Sequence, residues 1–170
     1  MQRDFKCQFD ILLKYMKYFG SALKSINEGD DFDVTVHCDA KIFQWLLLYI
    51  EKEERKTHPR IRFFEIENER ISTDYRAEKP IIKVENIISI LISADYLRIP
   101  KLVDDCLDFF VSNMNAILDL KIDLSCIQNK LIKKLITLVD LDFLDTVKDR
   151  KDSLLSKIFM IKLEQMIEDD

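Results

Sequence analysis

The sequence has little glycine. Only Gly20 and Gly29 occur in 170 residues. Loops that cradle phosphate need glycine wherever the backbone must approach the ligand closely. A dinucleotide-binding G-x-G-x-x-G turn or a Walker-type loop therefore cannot be assembled from this chain. Histidine is equally scarce, with His37 and His58 alone. His37 stands beside Cys38 and Asp39 in VHCDAKIFQWLLLYI. Neighbouring residues of a strand point to opposite faces, so the pair converges poorly on one ion, and no further ligand lies at zinc-site spacing. The cysteines Cys7, Cys38, Cys106 and Cys126 contain no C-x-x-C pair. They are predicted to be reduced, buried thiols rather than a disulfide framework. No nucleophile–base spacing is present. The sequence predicts no catalytic residue, no cofactor and no metal site.

Long apolar runs are also missing. None approaches the ~20 residues that cross a bilayer. The N-terminus MQRDFKCQFD is charged and lacks the apolar centre of a signal peptide. The expectation is an intracellular protein, in nucleus, cytoplasm or both, with no membrane partner. The net charge of −5 runs against general nucleic-acid binding, which favours a basic surface. Lys130, Lys133 and Lys134 form one basic turn, with Arg150, Lys151, Lys157 and Lys162 further on, and these read as solvated helix faces.

What is present is apolar periodicity. A hydrophobic fraction of 48 % with 34 % charged residues belongs to an ordered chain with a real core. Residues 8–24 read as one helix through Phe9, Leu12, Leu13, Met16, Phe19 and Leu23. NEGDD breaks that pattern as a turn. DVTVHC alternates and reads as a strand, with Val34, Val36 and Cys38 on one face. Asp39 then suits the N-cap of KIFQWLLLYI, a helix apolar nearly all round. Residues 51–80 read as a mobile polar excursion with one strand, IRFFEI, inside it.

Order returns with Ile87, Ile88, Ile90, Leu91, Ala94 and Leu97, a mostly buried helix limited by Pro100. A second helix follows through Leu102, Val103, Cys106, Leu107, Phe110, Met114 and Ile117. SCIQ offers a capping box, Ser125 with Gln128, for a helix through Ile127, Leu131, Leu135 and Leu138. A last helix runs through Leu155, Phe159, Leu163 and Met166. The fold class is α+β and mainly helical, with short strands.

Two stretches carry a resemblance. They are DVTVHCDAKIFQWLLLYI and NIISILISADYLRIPKLVDDCLDFFVSNMNAIL. A short strand, a buried helix and a helix pair joined at LRIPKLV resemble the BTB/POZ fold, a small sheet capping a cluster of helices. Its A-D-Y-L…L-V…C pattern stands here as Ala94, Asp95, Tyr96, Leu97, Leu102, Val103 and Cys106. With NMNAI and the tail KDRKDSLLSKIF, the chain is similar to the BTB region of the SANT-and-BTB-domain regulators, implicated in restraining antibody class-switch recombination. Ile42-Phe43-Gln44-Trp45-Leu46 replaces the usual F-x-A-H-K stretch, and no SANT domain is present.

The resemblance implies an interaction module that forms a homodimer and scaffolds a regulatory complex, transcriptional or chromatin-linked. Its organisation would be an N-terminal dimerisation element over 1–28, a BTB core over 29–118 and a helical extension over 119–170. Phe9, Leu12, Leu13, Met16, Phe19 and Leu23 are the candidate dimer residues. The alternative is an adaptor that holds a cullin ubiquitin ligase, with Phe63 and Phe64 as the partner-binding anchor.

Overall fold

The computed structural model describes residues 3–23, 33–66, 80–120, 122–147 and 153–168. It divides into two compact units: residues 1–81 with 89–102, and residues 82–88 with 103–170.

The first unit holds the only strands among the described residues. β1 (Phe5–Cys7) pairs antiparallel with β2 (Phe64–Ile66), in the register Phe5 with Ile66 and Cys7 with Phe64. β2 falls within the strand expected at IRFFEI, and β1 is unheralded by the sequence pattern. A three-residue strand gives too few alternations to be seen in a pattern. Between the strands lie α1 (Phe9–Tyr15), α2 (Lys17–Ala22) and α3 (Ala40–Glu54).

The single helix predicted over 8–24 is therefore two. The chain breaks at Met16, with φ −106° and ψ 87°. The cause is tertiary. Lys17 and Tyr18 donate their amides to the carbonyls of Arg98 and Leu97, at 3.2 Å each, and Met16 is fully buried. A continuous helix would need those amides for itself.

Asp39 caps α3 as predicted, accepting from the amides of Lys41 at 2.9 Å and Ile42 at 3.1 Å. The charge run EKEERK begins inside the helix, since α3 continues to Glu54 and only Arg55 and Lys56 lie in the turn beyond it. DVTVHC is a correction: residues 33–38 form no strand among the described residues, and Val34 is 39 % exposed. Among the described residues the alternation has no neighbouring strand to pair with, and an isolated strand is not stable. NEGDD lies wholly outside the described residues, as do residues 67–79.

α4 (Ile87–Tyr96) and α5 (Pro100–Ser112) follow. Pro100 opens α5, the helical position that needs no amide donor. The end of α4 is a Schellman turn: Ile99 donates to Ala94 at 2.8 Å and Arg98 to Asp95 at 3.1 Å. Arg98 takes the left-handed conformation, φ 56°, where glycine is the usual residue.

The second unit carries α6 (Met114–Asp119), α7 (Asn129–Leu138), α8 (Leu141–Thr146) and α9 (Ser153–Glu168). Its core includes Phe110, Ile117, Leu131, Leu135, Ile136 and Ile158. The predicted capping box is absent. Gln128 caps α7 without a side-chain bond, and Ser125 sits in a turn whose amide is taken by Asp123 at 2.9 Å. That earlier acceptor, two residues upstream, forms a local turn that competes with the helix start. Leu138, expected in the apolar stripe, is 45 % exposed, and Ile132 and Ile136 are buried instead.

Candidate functional site

The segment from β1 to α2 is held to the first unit by three kinds of contact. Backbone and side chain of Gln8 donate to the carbonyls of Phe63 at 3.0 Å and Arg62 at 2.9 Å. The ring of Phe5 meets Phe43 edge-on at 5.3 Å and Phe64 at 6.4 Å. Lys14 reaches across to pair with Glu54 on α3.

Two buried carboxylates organise that region. Glu51 and Glu54 are each only 3 % exposed. Glu51 accepts from Arg55 at 2.6 Å and from the Phe63 amide at 3.0 Å, so α3 is tied to the chain entering β2. Glu54 faces Lys14 and, at 3.4 Å, His58. The Lys14 ammonium holds the Glu54 carboxyl below the usual carboxylate range. On Glu53, burial works to raise the carboxyl, but Lys101 at 2.5 Å and Lys56 at 2.6 Å outweigh it and keep it below that range. The Tyr15 hydroxyl is pushed up to about 12 by burial and then by Glu54. These carboxylates belong to the run expected to be a polar excursion, and burial of Glu51 and Glu54 corrects that expectation. The signal was the spacing: Glu51 to Arg55 and Glu54 to His58 are both i, i+4 pairs.

Of the candidate dimer residues, Leu12, Met16, Phe19 and Leu23 are buried, with Met16 fully enclosed. Phe9 and Leu13, one helical turn apart on α1, stay partly exposed. Further along the segment, Tyr18 meets Tyr96 at a tilt of 39°, with ring centres 5.1 Å apart and hydroxyls 3.3 Å apart. Phe63 and Phe64 are each 1 % exposed. Both rings sit in the core, and neither is presented to a partner here. Phe63 lies just before the strand proper, so two consecutive residues are buried despite the alternation of β2.

His37 and Cys38 have different surroundings, though not through strand alternation, since residues 33–38 form no strand among the described residues. His37 is exposed, while the Cys38 thiol lies 3.5 Å from the Ser93 hydroxyl. Burial pushes the Cys38 thiol up, and pushes those of Cys7 and Cys106 up to about 12. All the cysteines are free. Of the thiols predicted buried, Cys106 is, Cys7 and Cys38 are half-buried, and Cys126 is exposed, because residues 125–126 turn at the surface instead of entering a helix. Among the described residues no cluster of His, Cys, Asp and Glu could hold a metal ion. No helix among them is long and apolar enough to cross a membrane.

A family model described as the BTB domain of the SANT and BTB domain regulator of CSR matches residues 1–107. That span takes in the N-terminal segment, the buried carboxylates and the Schellman turn. No solved structure matches the chain.

Proposed function

The chain belongs to the BTB-domain family of the SANT and BTB domain regulator of CSR, and we propose on that premise that it pairs with a second copy of itself and scaffolds a regulatory complex. BTB domains form a protein-interaction family, not an enzymatic one. The family match over 1–107 is the observation that carries this reading. The contact surface we assign is the open face of the N-terminal segment, Phe9 and Leu13 of α1. The buried members of the set, Leu12, Met16, Phe19 and Leu23, hold that face in place from below. A specific homodimer of this kind buries roughly 1,200–2,000 Å² in total, so further residues beside Phe9 and Leu13 must join the contact.

Light scattering of the whole chain across a range of concentrations tests it. The expected result is a mass of at least two chains that falls towards one on dilution. Phe9→Asp with Leu13→Asp is expected to shift that balance towards the monomer with an unchanged circular dichroism spectrum. A single-chain mass at every concentration up to hundreds of micromolar would refute the pairing. The cullin-adaptor alternative gains no support from Phe63 and Phe64, since both are core residues.

A further inference from the structure

α9 has two apolar faces, and its own unit uses one. Leu154, Leu155 and Ile158 are buried. They pack where α9 meets α7 and α8, and Lys162 and Lys157 secure the crossing by donating to the Ile136 carbonyl at 3.3 Å and the Asn129 side chain at 2.6 Å. This corrects the stripe expected from the sequence, because Phe159 is 39 % exposed and Leu163 only half-buried. Met166 lies among side chains outside the described set.

The other face is a heptad seam. Ser156, Met160, Leu163 and Ile167 follow one another at intervals of four, three and four residues. At about 100° per residue they form a narrow stripe nearly opposite the buried face. Met160 is 57 % exposed and Ile167 76 %. Alongside runs a cleft of about 360 Å³ lined by Leu144, Asp145, Leu155, Ser156, Phe159 and Met160. Single exposed apolar residues are ordinary, but a seam in heptad register beside an apolar cleft is a docking surface.

We propose that this seam is occupied by the α9 helix of a second copy, running antiparallel. The flanking charges choose that occupant. Lys157 and Glu164 lie seven residues apart on the same side of the seam, and both are exposed. In an antiparallel pair each flank meets the same flank of the other helix in reverse order. Lys157, whose ammonium has three donors and spends one on Asn129, then faces Glu164 of the second copy, and Glu164 faces its Lys157. In a parallel pair the opposite flanks meet, and the Phe159 side would be set against those charges. Placing opposite charges across the seam sets orientation as well as affinity. The family match ends at residue 107, so this contact goes beyond what the family supplies. It is a second self-contact, independent of the one assigned to α1. A chain with both would assemble past the dimer.

Sedimentation equilibrium of the full chain tests the proposal. Met160→Asp with Ile167→Asp alters only exposed positions and is expected to weaken self-association about tenfold. Lys157→Glu alone is expected to weaken it about threefold, and adding Glu164→Lys to restore it. The restoration cannot come from Asn129, whose bond to Lys157 stays lost. Measuring each change in the wild-type and Phe9→Asp, Leu13→Asp backgrounds separates the two contacts. Loss of the α1 effect alone sinks the earlier reading and leaves this one. Association indifferent to Met160→Asp with Ile167→Asp, as when a different protein's helix fills the seam, overturns this one. So does a double charge swap that binds no better than Lys157→Glu.

Discussion

α3 and α9 look alike as sequence and differ as structure. Both are apolar on more than one side. α3 is enclosed: Phe43, Leu46, Leu47, Tyr49 and Ile50 are buried, and even Glu51 and Glu54 are taken inside. Its polar groups are answered one by one, by Arg55, Lys14, Lys101 and the Phe63 amide. α9 buries one face and leaves Met160 and Ile167 in water. An apolar helix surface marks a contact, and only the neighbours decide whether that contact is internal. In α3 it is internal, and in α9 it is left open.

The comparison breaks most sharply at Leu47. It is fully buried, and Leu47→Ala is expected to cost about 3 kcal/mol, the transfer of its methyl groups plus the cavity left behind. Urea denaturation followed by circular dichroism reads the change. A cost below about 1 kcal/mol would mean that α3 is no better enclosed than α9.

Glu51 tests whether the buried charge is structural. Glu51→Ala removes the acceptor of the Phe63 amide and the carboxylate partner of Arg55, which keeps the Ile61 carbonyl at 3.4 Å. The expected loss is about 2 kcal/mol. Glu54 adds a pH dependence with a definite sign. Its carboxyl is held below the ordinary value by Lys14, so the folded state binds its proton less readily than the unfolded chain does. That contribution is complete at neutral pH. It is lost as pH falls from about 4.3, the unfolded value, through the lower folded one. Lys14→Met should remove this part of the acid sensitivity, measured as the difference in stability between neutral and acid pH.

The same enclosure explains what could be read in the sequence. Asp39 was legible because a cap is a local device, answered by amides two and three residues on. α4 and α5 were legible from their periodicity, as was the family from the motifs spanning them, but the second helix was expected to run on through Met114 and Ile117, which belong to α6 after a break at Asn113. Met16 was not, because its break depends on carbonyls at Leu97 and Arg98, far along the chain. Ser125 misled for the opposite reason, since the nearer acceptor Asp123 was overlooked. The candidate dimer stripe held both kinds of residue. Periodicity placed all six on an apolar helix, but only Phe9 and Leu13 remain partly open once α1 and α2 pack.

Arg98 sharpens the comparison from the backbone side. The Schellman turn needs a left-handed residue between α4 and α5, and Arg98 supplies it with φ 56°. A side chain with a Cβ is strained there by roughly 1 kcal/mol, and glycine is not. Arg98→Gly is therefore expected to stabilise the first unit by about 0.5–1 kcal/mol, because the relief exceeds the extra entropy lost by glycine. A fall in the thermal midpoint would show instead that the Arg98 side chain contributes more than its conformation costs.

The smallest effect belongs to the open seam. Met160→Gln removes an apolar group that is 57 % exposed. In a dilute sample, where each chain stands alone, little apolar surface is returned to water. The stability change should stay within about 0.5 kcal/mol, as at other surface positions. Repeating the melt at high protein concentration is the discriminating step. If a second α9 covers Met160, the wild type gains stability with concentration by mass action and the variant gains less. The difference between the two melts then grows as the sample is concentrated. A difference that stays flat would make Met160 an ordinary surface residue and leave α9 with one working face.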